Sequence, residues 1–239
     1  MRHRYLMTGA GVLLTGAAAL AASASAVSVA SNGGQANATA TATGNANATA
    51  WAGATNGGTA IANSQAIGQR RGQATSDAIA VADHGLALSN SRADARGTRG
   101  GRAVATSESV AGAIGGVAIS NSVANARGSH GGTARSQSYS TALSRYGYAN
   151  SDSRAVSRGL YGGRATSISD SLADTRGGVA TSRVRSDSRA GYRATANADG
   201  YGVSVSGWRQ NSSVRALAQT RANRFGTGQS RVTAIEVRP

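Results

Sequence analysis

The chain has no cysteine, no lysine, a single proline and only 4% aromatic residues. Without cysteine there can be no disulfide staple and no thiolate metal ligand. With so few aromatic residues and 33 glycines, a core of large side chains cannot be assembled, so any interior must be made of small ones. All 25 basic residues are arginine, set against 10 acidic ones, which gives a formal charge of +15. A GC-rich genome is enough to explain the exclusive use of arginine, although the guanidinium fork also suits bidentate recognition.

What the chain does have is a beat. Gly85, Gly116, Gly147 and Gly178 are spaced by 31 residues, and Gly101, Gly132 and Gly163 form a second series with the same spacing. The same shift aligns Ala87, Ala118, Ala149 and Ala180, and likewise Ser89, Ser120, Ser151 and Ser182. A fixed period of this size marks a repeat architecture in which each unit buries its face against its neighbours. Within a unit, Ala, Ser and Gly alternate with Arg, Asp, Asn, Thr, Val, Ile, Leu and Tyr, and period two means extended chain. Unpaired arginine and aspartate are too costly to stack in a dry interior, so the small set faces inward. Val184 departs from the serine column of Ser91, Ser122 and Ser153 and marks a change of cross-section.

These features predict an all-β fold: a two-sided parallel β-solenoid of about 31-residue coils with a thin Ala/Ser/Gly core. Glycine at the corners is expected to supply the positive φ of tight turns. Burying a methyl group contributes about 0.8 kcal/mol, whereas ordering one residue costs ~1–2 kcal/mol. Coil-to-coil hydrogen bonds and dense packing must therefore supply the remainder. Buried serine hydroxyls are expected to bond along their own stacks or to the backbone.

Residues 1–26 read as an export signal, with Arg2 and Arg4 before an apolar stretch from Leu6 to Leu20 and a small-residue cleavage site after Ala26 or, alternatively, after Ala30. Losing two arginines with that segment lowers the charge from +15 to +13. The apolar run is shorter than the ~20 residues of a spanning helix, and no later transmembrane span is expected. Residues 27–57 form an alternating Ala/Thr/Asn segment that supplies the first coil or coils, and residues 58–207 form the repeat solenoid. Residues 208–239 are read as a C-terminal cap or docking segment, with Trp208, Phe225, a helix over Ser213–Arg224 and a β-branched run from Val232 to Val237.

Chemistry is harder to find. Arg96, Arg127, Arg158 and Arg189 are spaced by 31 residues, as are Arg145 and Arg176, so each set should stack into a ladder. Such ladders are candidate sites for an anionic polymer, polysaccharide or nucleic acid, although solvated surface charge is the ordinary reading. Tyr139, Tyr146, Tyr148, Tyr161, Tyr192 and Tyr201 could add stacking surface. His84 and His130 lie beside corner glycines without the spacing of a metal site. Asp152, Asp170, Asp174 and Asp187 are scattered among arginines rather than paired in a cleft. No catalytic residues, metal ligands or cofactor are assigned.

The motif Gly-x-Ala-x-Ser-x-Ser-x-Ala, with Gly58–Gly68 as an example, resembles the small-residue β-rolls of secreted bacterial surface proteins, including the heads of trimeric autotransporter adhesins. The strand-corner-strand unit is also similar to curlin-type fibre subunits. Both resemblances imply a secreted or cell-surface, non-enzymatic, structural or adhesive protein that self-associates, with end-to-end assembly into fibres as one form. The alternative is a module that binds anionic polymers. An ice-binding protein and a carbohydrate-active enzyme using Asp170 or Asp174 rank lower.

Overall fold

The structure, a computed structural model, describes residues 13–15, 19–69, 72–98, 101–193, 195–207, 211–222 and 225–237. Among these residues every regular element is a strand. In chain order they are β1 (Leu13–Thr15), β2 (Ala19–Ala30), β3 (Gln35–Ala54), β4 (Thr59–Gly68), β5 (Gln73–Asp83), β6 (Leu86–Gly97), β7 (Arg102–Ile114) and β8 (Val117–Gly128). They continue as β9 (Thr133–Ser144), β10 (Tyr148–Gly159), β11 (Arg164–Thr175), β12 (Val179–Ala190), β13 (Thr195–Ser206), β14 (Ser212–Ala222) and β15 (Thr227–Val237).

Even-numbered strands from β4 to β14 stack in parallel on one side, and odd-numbered strands from β5 to β15 on the other. The 20-residue β3 belongs to both: Gln35–Gly44 pairs with β4 and Ala46–Ala54 with β5, and Gly44 (φ 112°) turns the chain between them. This is the parallel two-sided β-solenoid that the alternation implied. Coil length follows the register. Gln35 lies opposite Thr59, Thr59 opposite Leu86, and from Leu86 onward each residue lies opposite the one 31 further on. The last coil is longer by one residue, since Ala180 pairs with Ser212 and Thr195 with Thr227.

The inward columns are as expected. Ala87, Ser89, Ser91, Ala93 and Ala95 are buried on β6, and so are their counterparts on the neighbouring strands. Of the two expected kinds of partner, the serines mostly take the backbone. Instead of pairing along their own stacks, most reach across the seam to the opposite sheet. Ser120 Oγ donates to the Ser109 carbonyl (2.6 Å), and Ser109 Oγ donates to the carbonyl and hydroxyl of Ser89 (2.7 and 2.9 Å). The chain continues upward through Ser140, Ser151, Ser171 and Ser182. A second zipper joins Ser107, Ser122, Ser138 and Ser153 in the same way. Carbonyl oxygens already engaged in the sheet have a second lone pair, and the thin seam brings a hydroxyl within its reach. The pair Ser157–Ser188, at 2.9 Å, does lie along one stack.

The glycine beat also has a cause other than the expected one. Gly85, Gly116 and Gly178 do not have positive φ. Left-handed corner positions among the described residues include Asn32, Asn56, His84, Gly115, His130, Tyr161, Arg193 and Phe225, and Asn32, Asn56, His130 and Tyr161 are each followed by a positive-φ glycine. Gly85, Gly116 and Gly147 are glycine because successive coils touch there: a Cβ on any of them would sit 1.9 Å from the carbonyl oxygen of the preceding glycine in the column. That same oxygen accepts the amide of the next residue, as in Val117 N–H to Gly85 O at 3.0 Å.

The helix expected over Ser213–Arg224 is instead β14. Val214, Ala216, Ala218 and Thr220 continue the inward columns of β12, and a waiting sheet edge overrides the helix propensity of Ala, Leu, Gln and Arg. Trp208, Arg224, Ala194 and the signal residues Arg2, Arg4 and Leu6 lie outside the described residues. The expected cleavage region is part of β2, whose Ala24, Ala26 and Ser28 are buried against β3.

Gly116→Ala is expected to cost on the order of 3 kcal/mol or more in urea unfolding, because the clash is with backbone and cannot be relieved by a rotamer change. Gly112 faces open space, with nothing within 4 Å of an added Cβ, so Gly112→Ala should be neutral or stabilising. Equal effects at the two sites would refute the close-contact explanation of the beat.

Candidate functional site: an arginine face and an open coil end

The register brings four of the expected arginines together. Arg96, Arg127, Arg158 and Arg189 are consecutive neighbours on β6, β8, β10 and β12, and Arg221 on β14 extends the column to five. Sequence spacing missed Arg221 because the final coil is one residue longer. The column occupies the last or near-last outward position of each strand, not the corner itself. Four residues earlier, Arg92, Arg154 and Arg185 form a second, interrupted column with Val123 and Leu217 in the gaps.

Arg145 and Arg176 do not join them. They follow β9 and β11, stacked at the opposite edge of the flattened coil, with backbone amides bonded to Ala113 O and Ser144 O. The two expected ladders are therefore separate surfaces.

Charge is segregated between the sheets, which the linear sequence did not reveal. Strands β6, β8, β10, β12 and β14 carry ten arginines against Asp94, Asp152 and Asp187. The other outer face carries Arg102, Arg135, Arg164 and Arg231 against six acids, including a register column that runs Asp77, Glu108, Tyr139, Asp170, Tyr201. Burial raises the Asp77 carboxyl above its ordinary range, with Glu108 adding to the effect. Asp170 is raised by burial and then by Asp199. Asp152 is also raised by burial, although Arg183, 3.8 Å away, and Arg154 pull it back. The Tyr139 hydroxyl is raised by burial and then by Asp170. On the arginine face, burial lowers the Arg158 guanidinium, with Arg127 and Arg189 adding to it, and its Nε has no hydrogen-bond partner.

The four scattered acids are divided, with Asp152 and Asp187 on one face and Asp170 and Asp174 on the other. Asp187 is buried beside Arg185, whose Nε lies 2.9 Å away. Among the described residues no group of three His, Cys, Asp or Glu could hold a metal ion. His84 pairs with Asp83 at 2.6 Å, and His130 stacks on Tyr161 with ring centroids 5.4 Å apart. Tyr192 follows Tyr161 at the same corner and meets Phe225 edge-on at 6.0 Å. The tyrosines thus divide between corners, the acidic column and, for Tyr148, the start of β10, and do not form one stacking platform. Thr39, Thr41 and Thr43 line one strand, but their register partners are Asn63, Gln65 and Ile67, so threonine is not ranked from coil to coil. An asparagine ladder takes its place, Asn121 to Asn90 to Asn63, each bond 2.9 Å.

The second feature is the C-terminal coil end. Ala196, Ala198, Gly200, Gly202 and Ser204 are buried on β13, whereas their register partners Gly228, Ser230, Val232, Ala234 and Glu236 on β15 are exposed. Val232 is 47% exposed in a column that is closed in every coil before it. Glu236 is held across the seam by Ser212 Oγ at 2.8 Å.

Comparison with protein-family models, curated proteins and solved structures finds no match. No helix among the described residues is long and apolar enough to cross a membrane.

The raised carboxyls carry a pH signature. A carboxyl whose folded pKa exceeds its unfolded value binds its proton more tightly in the fold. Its contribution to stability is therefore full below the ordinary value and is lost as pH rises through the raised one. Asp77→Asn/Asp170→Asn should melt higher than wild type at pH 7 and change less between pH 7 and pH 4. Superimposable melting profiles would contradict the assignment.

Proposed function

We propose that the protein is a secreted, non-enzymatic structural or adhesive component of an extracellular surface, a rod that lengthens by joining copies end to end. The observation carrying this reading is the open last coil. Among the described residues β14 and β15 are the end strands of the two stacks, and β15 turns exposed inward residues, Val232 and Ala234 foremost, to whatever continues the stack. Only another coil of the same small-residue geometry satisfies both the backbone and that column, and a second copy of this chain supplies one. Head-to-tail contacts of this kind do not close on themselves and so propagate. The resemblance to secreted β-rolls and the leader-like first 26 residues support an extracellular setting.

The other end is affected by processing. Ala26 pairs with Ala50 and Ala30 with Ala54, so cleavage after Ala26 would strip most of β2 from β3, and cleavage after Ala30 would strip all of it. Either cut would expose an acceptor edge for the open last coil of another copy.

The mature chain, beginning at Val27, is expected to grow into rods with rising concentration, seen by light scattering and negative-stain microscopy. Val232→Lys/Ala234→Lys should suppress growth while leaving the circular dichroism of the monomer unchanged. A mature chain that stays monomeric at all concentrations, or rods indifferent to both lysines, would overturn the reading.

A further inference from the structure

We infer that the arginine face holds one chain of an acidic polysaccharide, a polyuronate, in an axial trough between its two arginine columns. The trough is independent of the coil ends and does not rest on end-to-end assembly.

The walls are Arg96, Arg127 and Arg158 on one side and Arg92 and Arg154 on the other, four residues apart along the strands, or ~13 Å at ~3.3 Å per residue. Ile67, Asp94, Asn125 and Val156 form the floor, and the groove measures about 230 Å³. The floor acid is already satisfied. Asp94 accepts from Arg92 Nε at 2.8 Å and from Asn125 Nδ2 at 2.7 Å. Further along the same floor column, Asp187 is taken by Arg185. Among the described residues none of the five outer-column arginines is ion-paired, and Arg158 keeps a buried Nε without an acceptor. Like charges one coil apart, ~4.8 Å, repel, so the column gains from a ligand that carries an anion at nearly every rung.

Chemistry selects the ligand. The planar guanidinium fork matches a planar carboxylate with two parallel hydrogen bonds. An extended polyuronate carries one carboxylate per sugar along a straight chain, as a straight ladder requires. Ile67 and Val156 offer apolar floor for the sugar faces. Single-stranded nucleic acid is bound on aromatic stacking platforms, and among the described residues the only tyrosine on this face is Tyr148, at the far end of its strand from the outer column. The acidic column on the opposite face leaves the polymer a single side on which to land.

The test uses monomeric full chain and fluorescently labelled oligogalacturonates of increasing length, read by anisotropy. Affinity should rise with length until the oligomer spans the five rungs, and fall at least tenfold between 50 and 300 mM salt, on the order expected when several charge contacts are screened. Arg127→Gln/Arg158→Gln should weaken binding tenfold or more. Arg135→Gln/Arg164→Gln, the same charge change on the opposite face, should change it less than twofold. Circular dichroism checks that each variant keeps its strands. The inference is overturned by equal loss in both double variants, which would mean unspecific charge attraction. It is equally overturned by absence of binding, by comparable binding of neutral dextran, or by an oligonucleotide of matched charge that binds tighter and responds to the same variants.

Discussion

The fold depends on how closely its two sheets approach. Only hydrogen, methyl and hydroxymethyl groups fill the seam over most of its length, so each sheet lies near enough for a serine hydroxyl to reach a carbonyl on the other side. That proximity compensates for what small side chains lack. An Ala/Ser core buries little apolar area per residue, and dense van der Waals contact with satisfied hydroxyls must offset the entropy of ordering the chain. The same closeness between coils fixes the glycine column, where one backbone carbonyl occupies the space a Cβ would need.

Val184 shows how narrow the tolerance is. It is the largest fully buried side chain and stands where Ser91, Ser122 and Ser153 stand in earlier coils. On the facing sheet Gly200 and Gly202 replace the serines of the previous strand, Ser169 and Ser171, and a Cβ on either would lie 3.2 Å from a Val184 methyl. Bulk added on one side has been removed from the other. Beyond this point cross-seam serine bonds continue only singly, as from Ser204 Oγ to the Ala180 carbonyl at 2.9 Å, and the inward residues of β15 are exposed.

Much of this was legible in the sequence because a solenoid converts distance along the chain into stacking in space. The 31-residue shift gave the coil, the alternation gave the inward columns, and the arginine spacing gave four rungs of a five-rung ladder. What escaped did so for physical reasons. Arg221 and the Asn63–Asn90 step of the asparagine ladder lie where the coil length changes, so a fixed shift steps past them. The strand at Ser212–Ala222 follows from a template edge that local propensity does not see. The separation of charge onto opposite faces required knowing which strands share a sheet, and the true reason for the glycine beat required seeing what lies opposite each hydrogen. The reciprocal exchange at Val184 was half visible, as a departure without its partner.

The most direct measurement of the seam is a double-mutant cycle on Val184→Ala and Gly202→Ala, read by urea unfolding. A seam of fixed thickness makes the first a cavity and the second a clash, each destabilising alone, while the pair restores volume with a coupling of about 1–3 kcal/mol. Additive losses would mean that the two positions do not share a filled interior, and the account of a solenoid zipped by its smallest side chains would be contradicted.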